Sequence, residues 1–173
     1  GPGADFFHTL ERHLGQLPII AEDLGIITDE VVELKRELKF PGMKVLHFCF
    51  THSQQDDYPP LGIERDSIVY TGTHDNNTTI GWYENDLEKS VIECVDAYLG
   101  SSSKTSAEEL CWRLIELAYQ SKGRTVIIPI QDILALDSTA RMNLPGTVGG
   151  NNWAWRCCLG YLAGDIAAKL RGL

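Results

Sequence analysis

The chain has 173 residues, 43% hydrophobic and 23% charged, enough for one domain with a real core and ordinary for a globular protein. Its 15 Lys and Arg stand against 24 Asp and Glu, a net charge of −9. An acidic surface repels phosphate backbones, so neither nucleic acid nor an anionic membrane is expected as a partner, whereas neutral sugars need no charge steering.

In chain order, Phe6, Leu10 and Leu14 share one face of a first helical pattern. The apolar run Leu17 to Ala21 follows. Thr28 then stands as N-cap with Asp29 and Glu30 in the first turn of a helix whose apolar face holds Val31, Leu34 and Leu38. Met43 to Phe48 and Ser67 to Thr71 are the next apolar runs. Leu87, Val91, Val95 and Tyr98 mark a helix starting near Asp86. Ser106 with Glu109 forms a capping box ahead of Leu110, Leu114, Leu117 and Ala118. Thr125 to Pro129 is the last apolar run, Ile130 to Leu136 reads as a short helix, and Pro145 to Asn152 as loop.

The four runs lack clean alternation, as expected of strands buried on both faces in a parallel sheet. Strands alternating with helices give β/α architecture. Four strands could suffice in a doubly wound fold; in a closed barrel they are half, and both sheet edges would then need further strands. No internal repeat or low-complexity tract interrupts the chain, so residues 1–173 read as one unit. The opening Gly1-Pro2-Gly3-Ala4-Asp5 does not look like a signal peptide and reads as the interior of a longer protein. No apolar run approaches the length of a membrane span. The five cysteines, odd in number and without CxxC spacing, fit reduced thiols and a cytoplasmic setting.

Each run ends in polar residues. Leu17–Ala21 leads into Glu22-Asp23, Met43–Phe48 is followed by Thr51 and His52, Ser67–Thr71 leads into Gly72-Thr73-His74-Asp75-Asn76, and Thr125–Pro129 into Gln131-Asp132. Loops at the carboxyl ends of parallel strands converge on one face, where α/β enzymes place their chemistry. Glu22, leaving an apolar strand partly shielded from water, suits proton transfer; the same residue type also caps turns. Asp75 suits hydrogen bonds from sugar hydroxyls or stabilisation of positive charge, with His74 a donor to a hydroxyl; a turn with Asp75 or Asn76 as N-cap fits equally. Phe48, Tyr70, Trp82, Trp153 and Trp155 offer faces on which sugar rings could stack, while Trp112, inside an amphipathic helix, reads as core. No HxH or HExxH spacing is present, so no metal site is expected.

Several longer motifs are more specific. Ile19 to Thr28 (IIAEDLGIIT), Pro41 to Leu46 (PGMKVL), Val69 to Asn76 (VYTGTHDN), Pro129 to Leu134 (PIQDIL), Ala140 to Asn143 (ARMN) and Asn152 to Arg156 (NWAWR) resemble, in order and spacing, the signatures of the 4-α-glucanotransferases, the amylomaltase or disproportionating-enzyme family related to the α-amylases. The resemblance runs from Gly1 to about Arg156. It implies a (β/α)₈ (TIM) barrel of which this chain supplies the carboxyl-terminal half, about four parallel strands alternating with helices. It implies transfer of a maltooligosaccharide from one α-1,4-glucan to the 4-hydroxyl of an acceptor glucan or glucose, with no metal or organic cofactor.

By that resemblance Glu22 matches the family's general acid/base and Asp75 its third carboxylate, which grips the distorted sugar. His74 matches a hydrogen-bond donor to the same ring, Phe48 an aromatic at the substrate site, and Asn143 a polar contact in the glucan groove. Three departures stand out. The family's nucleophilic Asp lies on an earlier strand, within an Arg-containing motif that nothing here matches; this implies an amino-terminal barrel half elsewhere and a glucan-binding fragment inactive alone as the alternative to an enzyme. Asp56 to Gly62 replaces what is often a Leu-Pro-His-Asn segment. His47 and Cys49 stand where Gln and Ala are commoner.

Overall fold

The computed structural model describes residues 1–51, 62–158, 160 and 166–173; His52 and most of the Asp56–Gly62 segment lie outside them. Among the described residues the elements are α1 (Ala4–Leu14), α2 (Asp29–Leu38), β1 (Gly42–Val45), α3 (Leu46–Thr51), β2 (Ser67–Tyr70), the single turn α4 (Thr79–Gly81) continuing into a π-helical turn (Trp82–Asp86), α5 (Lys89–Leu99), α6 (Ala107–Gln120), β3 (Thr125–Ile127), α7 (Ile130–Ile133), a 3₁₀ turn (Ser138–Ala140) and α8 (Ile166–Arg171). The three strands form one open parallel sheet in the order β1-β2-β3. Val45 faces Tyr70, and Tyr70 in turn faces Ile127.

The expected fourth strand, Leu17–Ala21, is not a strand. Pro18 has no N–H to give a ladder, and the Ile19 N–H turns back to Leu17 O at 3.0 Å. Among the described residues one backbone bond ties this run to the rest, from Ala21 N–H to Pro41 O at 2.9 Å, and Ile20 is 48% exposed. The α/β class with a parallel sheet therefore stands with three strands rather than four. The Met43–Phe48 run also divides: the strand ends at Val45, and Leu46 opens α3 directly. Val45, Leu46 and His47 are all buried, and a short continuous apolar run reads alike as a buried strand or a buried helical turn.

The helices follow the sequence more closely. Thr28 is the N-cap of α2, and the Ser106 hydroxyl accepts from Glu109 N–H at the start of α6. The helix expected near Asp86 begins at Lys89, because the preceding residues wind into the π-helical turn and Leu87 is extended. The core lies between the sheet and α3, α5 and α6. Leu46, Phe50, Val69, Trp82, Val95, Leu114, Leu117 and Ala118 form one buried cluster, and Trp112 is buried with it on α6. Neither α1 nor α2 has a buried residue.

Candidate active site

Because the three strands are parallel, the chain leaves each of them at the same end of the sheet. There the carboxyl ends of β2 and β3, the start of α3 and the Ile20–Gly25 segment enclose an open cavity of about 950 Å³. Glu22, Phe48, His74 and Asp75 all line it, with Tyr70 beside them and Asp132 in its floor. Four of the five candidate residues thus share one cavity although they come from three separate stretches of chain. The fifth, Asn143, reaches the site through Asp75, whose Oδ1 accepts from its Nδ2 at 2.7 Å. A second cavity, of about 730 Å³, lies at the opposite end of the strands, lined by Phe7, Leu17, Phe40 and Arg124, and holds none of the candidates.

The loop carrying His74 and Asp75 is held by its own turn and from below. Asn76 Oδ1 accepts from the Thr73 N–H at 2.8 Å and from its hydroxyl at 2.9 Å, and Asp75 N–H reaches Thr73 Oγ1 at 3.3 Å. Arg141 donates through Nη2 to Asp75 O at 2.9 Å and through Nε to Asn143 O at 2.8 Å. One guanidinium therefore fixes both the Asp75 backbone and the residue whose amide holds the Asp75 carboxylate. His74 Nε2 stands 3.5 Å from Asp75 Oδ1, so imidazole and carboxylate present a donor and an acceptor side by side to the open cavity.

Beneath that loop sits a buried polar hub. Asp132 accepts from the Thr71 hydroxyl at 2.5 Å and from Thr79 N–H at 2.8 Å, and the Thr79 hydroxyl bonds the same carboxylate. Burial pushes the Asp132 carboxyl up from its ordinary value, and these three donors oppose the shift. Thr79 Oγ1 also lies 3.0 Å from His47 Nε2. With the hydroxyl hydrogen turned to Asp132, the oxygen accepts from the imidazole N–H, which leaves His47 Nδ1 a lone pair. That atom is buried without a hydrogen-bond partner among the described residues. Burial drives the His47 pKa down to about 3, so the ring is neutral and stacks on Trp82 at 4.4 Å between centroids. Gly72 packs against the His47 ring; a Cβ there would lie 2.8 Å from Cε1, so only glycine lets the loop cross so closely.

Glu22 is held differently. Its neighbour Asp23 accepts from Met43 N–H at 2.6 Å and is ion-paired with Lys35 of α2. A Cβ at Gly42 would strike that carboxylate, so the clamp depends on glycine at the start of β1. The Tyr70 hydroxyl is pushed up by burial and then by the negative charge of Glu22, and both residues line the cavity. The roles of Asp23, Arg141 and Asp132 escape sequence reading. Asp132 gave a signal in its strand-end position, and Arg141 in its neighbour Asn143; nothing pairs Asp23 with Lys35 in advance.

The family model described as 4-alpha-glucanotransferase matches residues 1–160. The chain belongs to the 4-α-glucanotransferase family. It is 48% identical over 157 residues to the 4-alpha-glucanotransferase of a Synechocystis species, covering 90% of this chain and 30% of that one. It is 46% identical over 156 residues to the chloroplastic/amyloplastic 4-alpha-glucanotransferase of Oryza sativa, covering 90% and 25%. Its fold is similar to that of an amylomaltase from Streptococcus agalactiae solved in complex with acarbose, with a TM-score of 0.89 and 33% identity, covering 99% of this chain and 34% of that one. The chain thus spans between a quarter and about a third of the length of these 4-α-glucanotransferases.

Proposed function

We propose that this chain forms the α-1,4-glucan-binding part of a 4-α-glucanotransferase site, from the carboxyl-terminal region of its barrel, and that alone it holds glucan without turning it over. One observation carries the proposal: Glu22, Phe48, His74 and Asp75 open on a single cavity above a parallel sheet in a member of this family. Phe48 offers a ring face to a sugar, and the fixed pair His74 and Asp75 offers a donor and an acceptor to its hydroxyls. That a similar amylomaltase was solved with acarbose supports an oligosaccharide as occupant.

In a longer polypeptide that also supplies the nucleophilic Asp, the same residues support retaining transfer. Glu22 protonates the departing glycosidic oxygen as the covalent glycosyl intermediate forms on that Asp. The resulting carboxylate then takes the proton from the incoming 4-hydroxyl of a glucan or glucose acceptor. Asp75, held by Asn143, stabilises the oxocarbenium-like charge that develops in the transition state of each step. Names given to the relatives favour this second setting; the three-stranded open sheet favours binding alone for the chain as it stands. No step of either calls for a metal or organic cofactor.

Calorimetric titration of the chain with maltoheptaose, beside sugar chromatography of the same mixture, tests both. Heat of binding without a product ladder is expected. A ladder from the pure chain overturns the binding-only reading, and absence of binding to any maltooligosaccharide overturns the glucan assignment.

A further inference from the structure

Trp153 stands beside His74, which lines the cavity, and takes no part in the hydrogen bonds that hold Asp75. Its indole is 53% exposed, and its ring centroid lies 5.2 Å from that of His74, at 39° between planes. Its backbone is in the left-handed region, with φ at 61°, a conformation that a bulky side chain adopts only when its surroundings impose it. They do so here. Trp153 N–H donates to Met142 O at 2.7 Å, and Arg156 Nη1 donates to Trp153 O at 2.6 Å and to Trp155 O at 2.8 Å. The loop leading to it is closed by Asn152, whose Oδ1 accepts from Leu144 N–H at 3.0 Å and whose Nδ2 donates to Thr147 Oγ1 at 2.8 Å. Met142 lines the cavity, and its neighbour Asn143 holds Asp75. A large apolar ring is thus held half exposed next to His74, on a left-handed backbone tied down by hydrogen bonds.

A core role does not account for that placement, since buried indoles such as Trp82 and Trp112 are already packed into the core. Glucose rings carry apolar C–H faces between rims of hydroxyls, and a fixed, half-exposed indole is complementary to such a face at little cost in side-chain freedom. Resting on the glucan-binding reading, we propose that Trp153 is a stacking platform for a glucose ring adjacent to the one held by His74 and Asp75, so that the groove extends along the rim. Its loop backbone then sets how long a glucan the chain holds.

Titration of the whole chain with maltotriose and maltoheptaose tests this. Trp153→Ala weakens maltoheptaose binding by about tenfold and maltotriose by no more than about threefold, while Trp153→Phe, which keeps a ring, stays within about threefold for both. In the unsubstituted chain maltoheptaose shields an indole from iodide quenching, and Trp153→Phe loses that shielding; this second measurement stands if the alanine variant does not fold. Equal losses for the short and long sugars would mean that Trp153 only orients His74 and would overturn the platform, as would unchanged maltoheptaose affinity. An unsubstituted chain that binds neither sugar overturns the glucan reading and the platform together, so the two failures are told apart.

Discussion

Glu22 and Asp75, the two candidate carboxylates of the cavity, rest on unlike foundations. Asp75 rides on a loop above Thr71, Thr79 and Asp132, all buried, and behind that hub lies α6, whose Leu110, Cys111, Trp112, Leu114, Ile115, Leu117 and Ala118 are buried. Glu22 rides on residues 16–28, between two helices that bury nothing and beside a run that fails to join the sheet. Its position depends on polar ties, chiefly the Asp23 carboxylate on Met43 N–H and Lys35. A site can thus be assembled from one half fixed by packing and another fixed by a clamp. The two halves should respond differently to substitution, because burial acts on the whole fold while a part-exposed ion pair acts locally.

The sharpest break comes from the packed half. Leu114 is fully buried, and Leu114→Ala should lower unfolding free energy by about 4 kcal/mol, from lost transfer energy and the cavity left behind. Urea titration followed by circular dichroism measures it, and a change under about 1 kcal/mol would show that α6 does not anchor the Asp75 side.

A smaller effect belongs to the hub. His47 is neutral when folded, its pKa lowered to about 3 by burial, whereas an unfolded histidine titrates near 6.5. Between those values the unfolded chain binds the extra proton, so stability is present above about pH 6.5 and is lost as pH falls toward 3, by on the order of 3 kcal/mol between pH 7 and pH 4. Asp132, the charged group facing His47 through Thr79, has its pKa raised and so contributes a slope of opposite sign just above the ordinary aspartate range. The difference between the unsubstituted chain and His47→Gln isolates the histidine, and that difference, measured by denaturant titration at pH 7, 5.5 and 4, should move toward the variant by on the order of 3 kcal/mol as the pH falls. Parallel pH profiles would show that His47 is not buried neutral.

The smallest global effect should come from the clamp. Asp23→Ala leaves Met43 N–H and the Lys35 ammonium without their acceptor and should cost about 1–2 kcal/mol, felt locally. Amide exchange should quicken at Ala21 and Met43 while Val69 in the central strand keeps its protection, and maltoheptaose affinity should fall as Glu22 loses its seat. Equal quickening at Val69 would erase the distinction between the halves.

Much of this was legible along the chain. Helical periodicity and capping residues located α1, α2 and α6 because those signals are local, and Ser67–Tyr70 and Thr125–Ile127 appeared as strands because β-branched runs flanked by turns have few other solutions. Chemistry at the carboxyl ends of strands made His74 and Asp75 candidates before their cavity was seen, since parallel strands bring their following loops to one face; Glu22 was reached by the same reasoning from a run that is not a strand, and lines the cavity all the same. Leu17–Ala21 escaped that logic: an apolar run predicts burial, but a strand needs donors and a neighbour, and Pro18 removes a donor while Ile19 satisfies itself locally.

By itself, then, the amino-acid order determined most of the helices, the strands Ser67–Tyr70 and Thr125–Ile127, and the family motifs, for these depend on neighbours a few positions apart. Only the tertiary structure decided what holds them: Lys35 and Met43 on Asp23, Thr71 and Thr79 on Asp132, Asn143 and Arg141 on Asp75, and Trp153 against His74. Those partners lie twelve to seventy-nine residues apart. Such meetings are selected by packing and by the cost of burying an unpaired polar group, neither of which leaves a periodic trace in a linear chain.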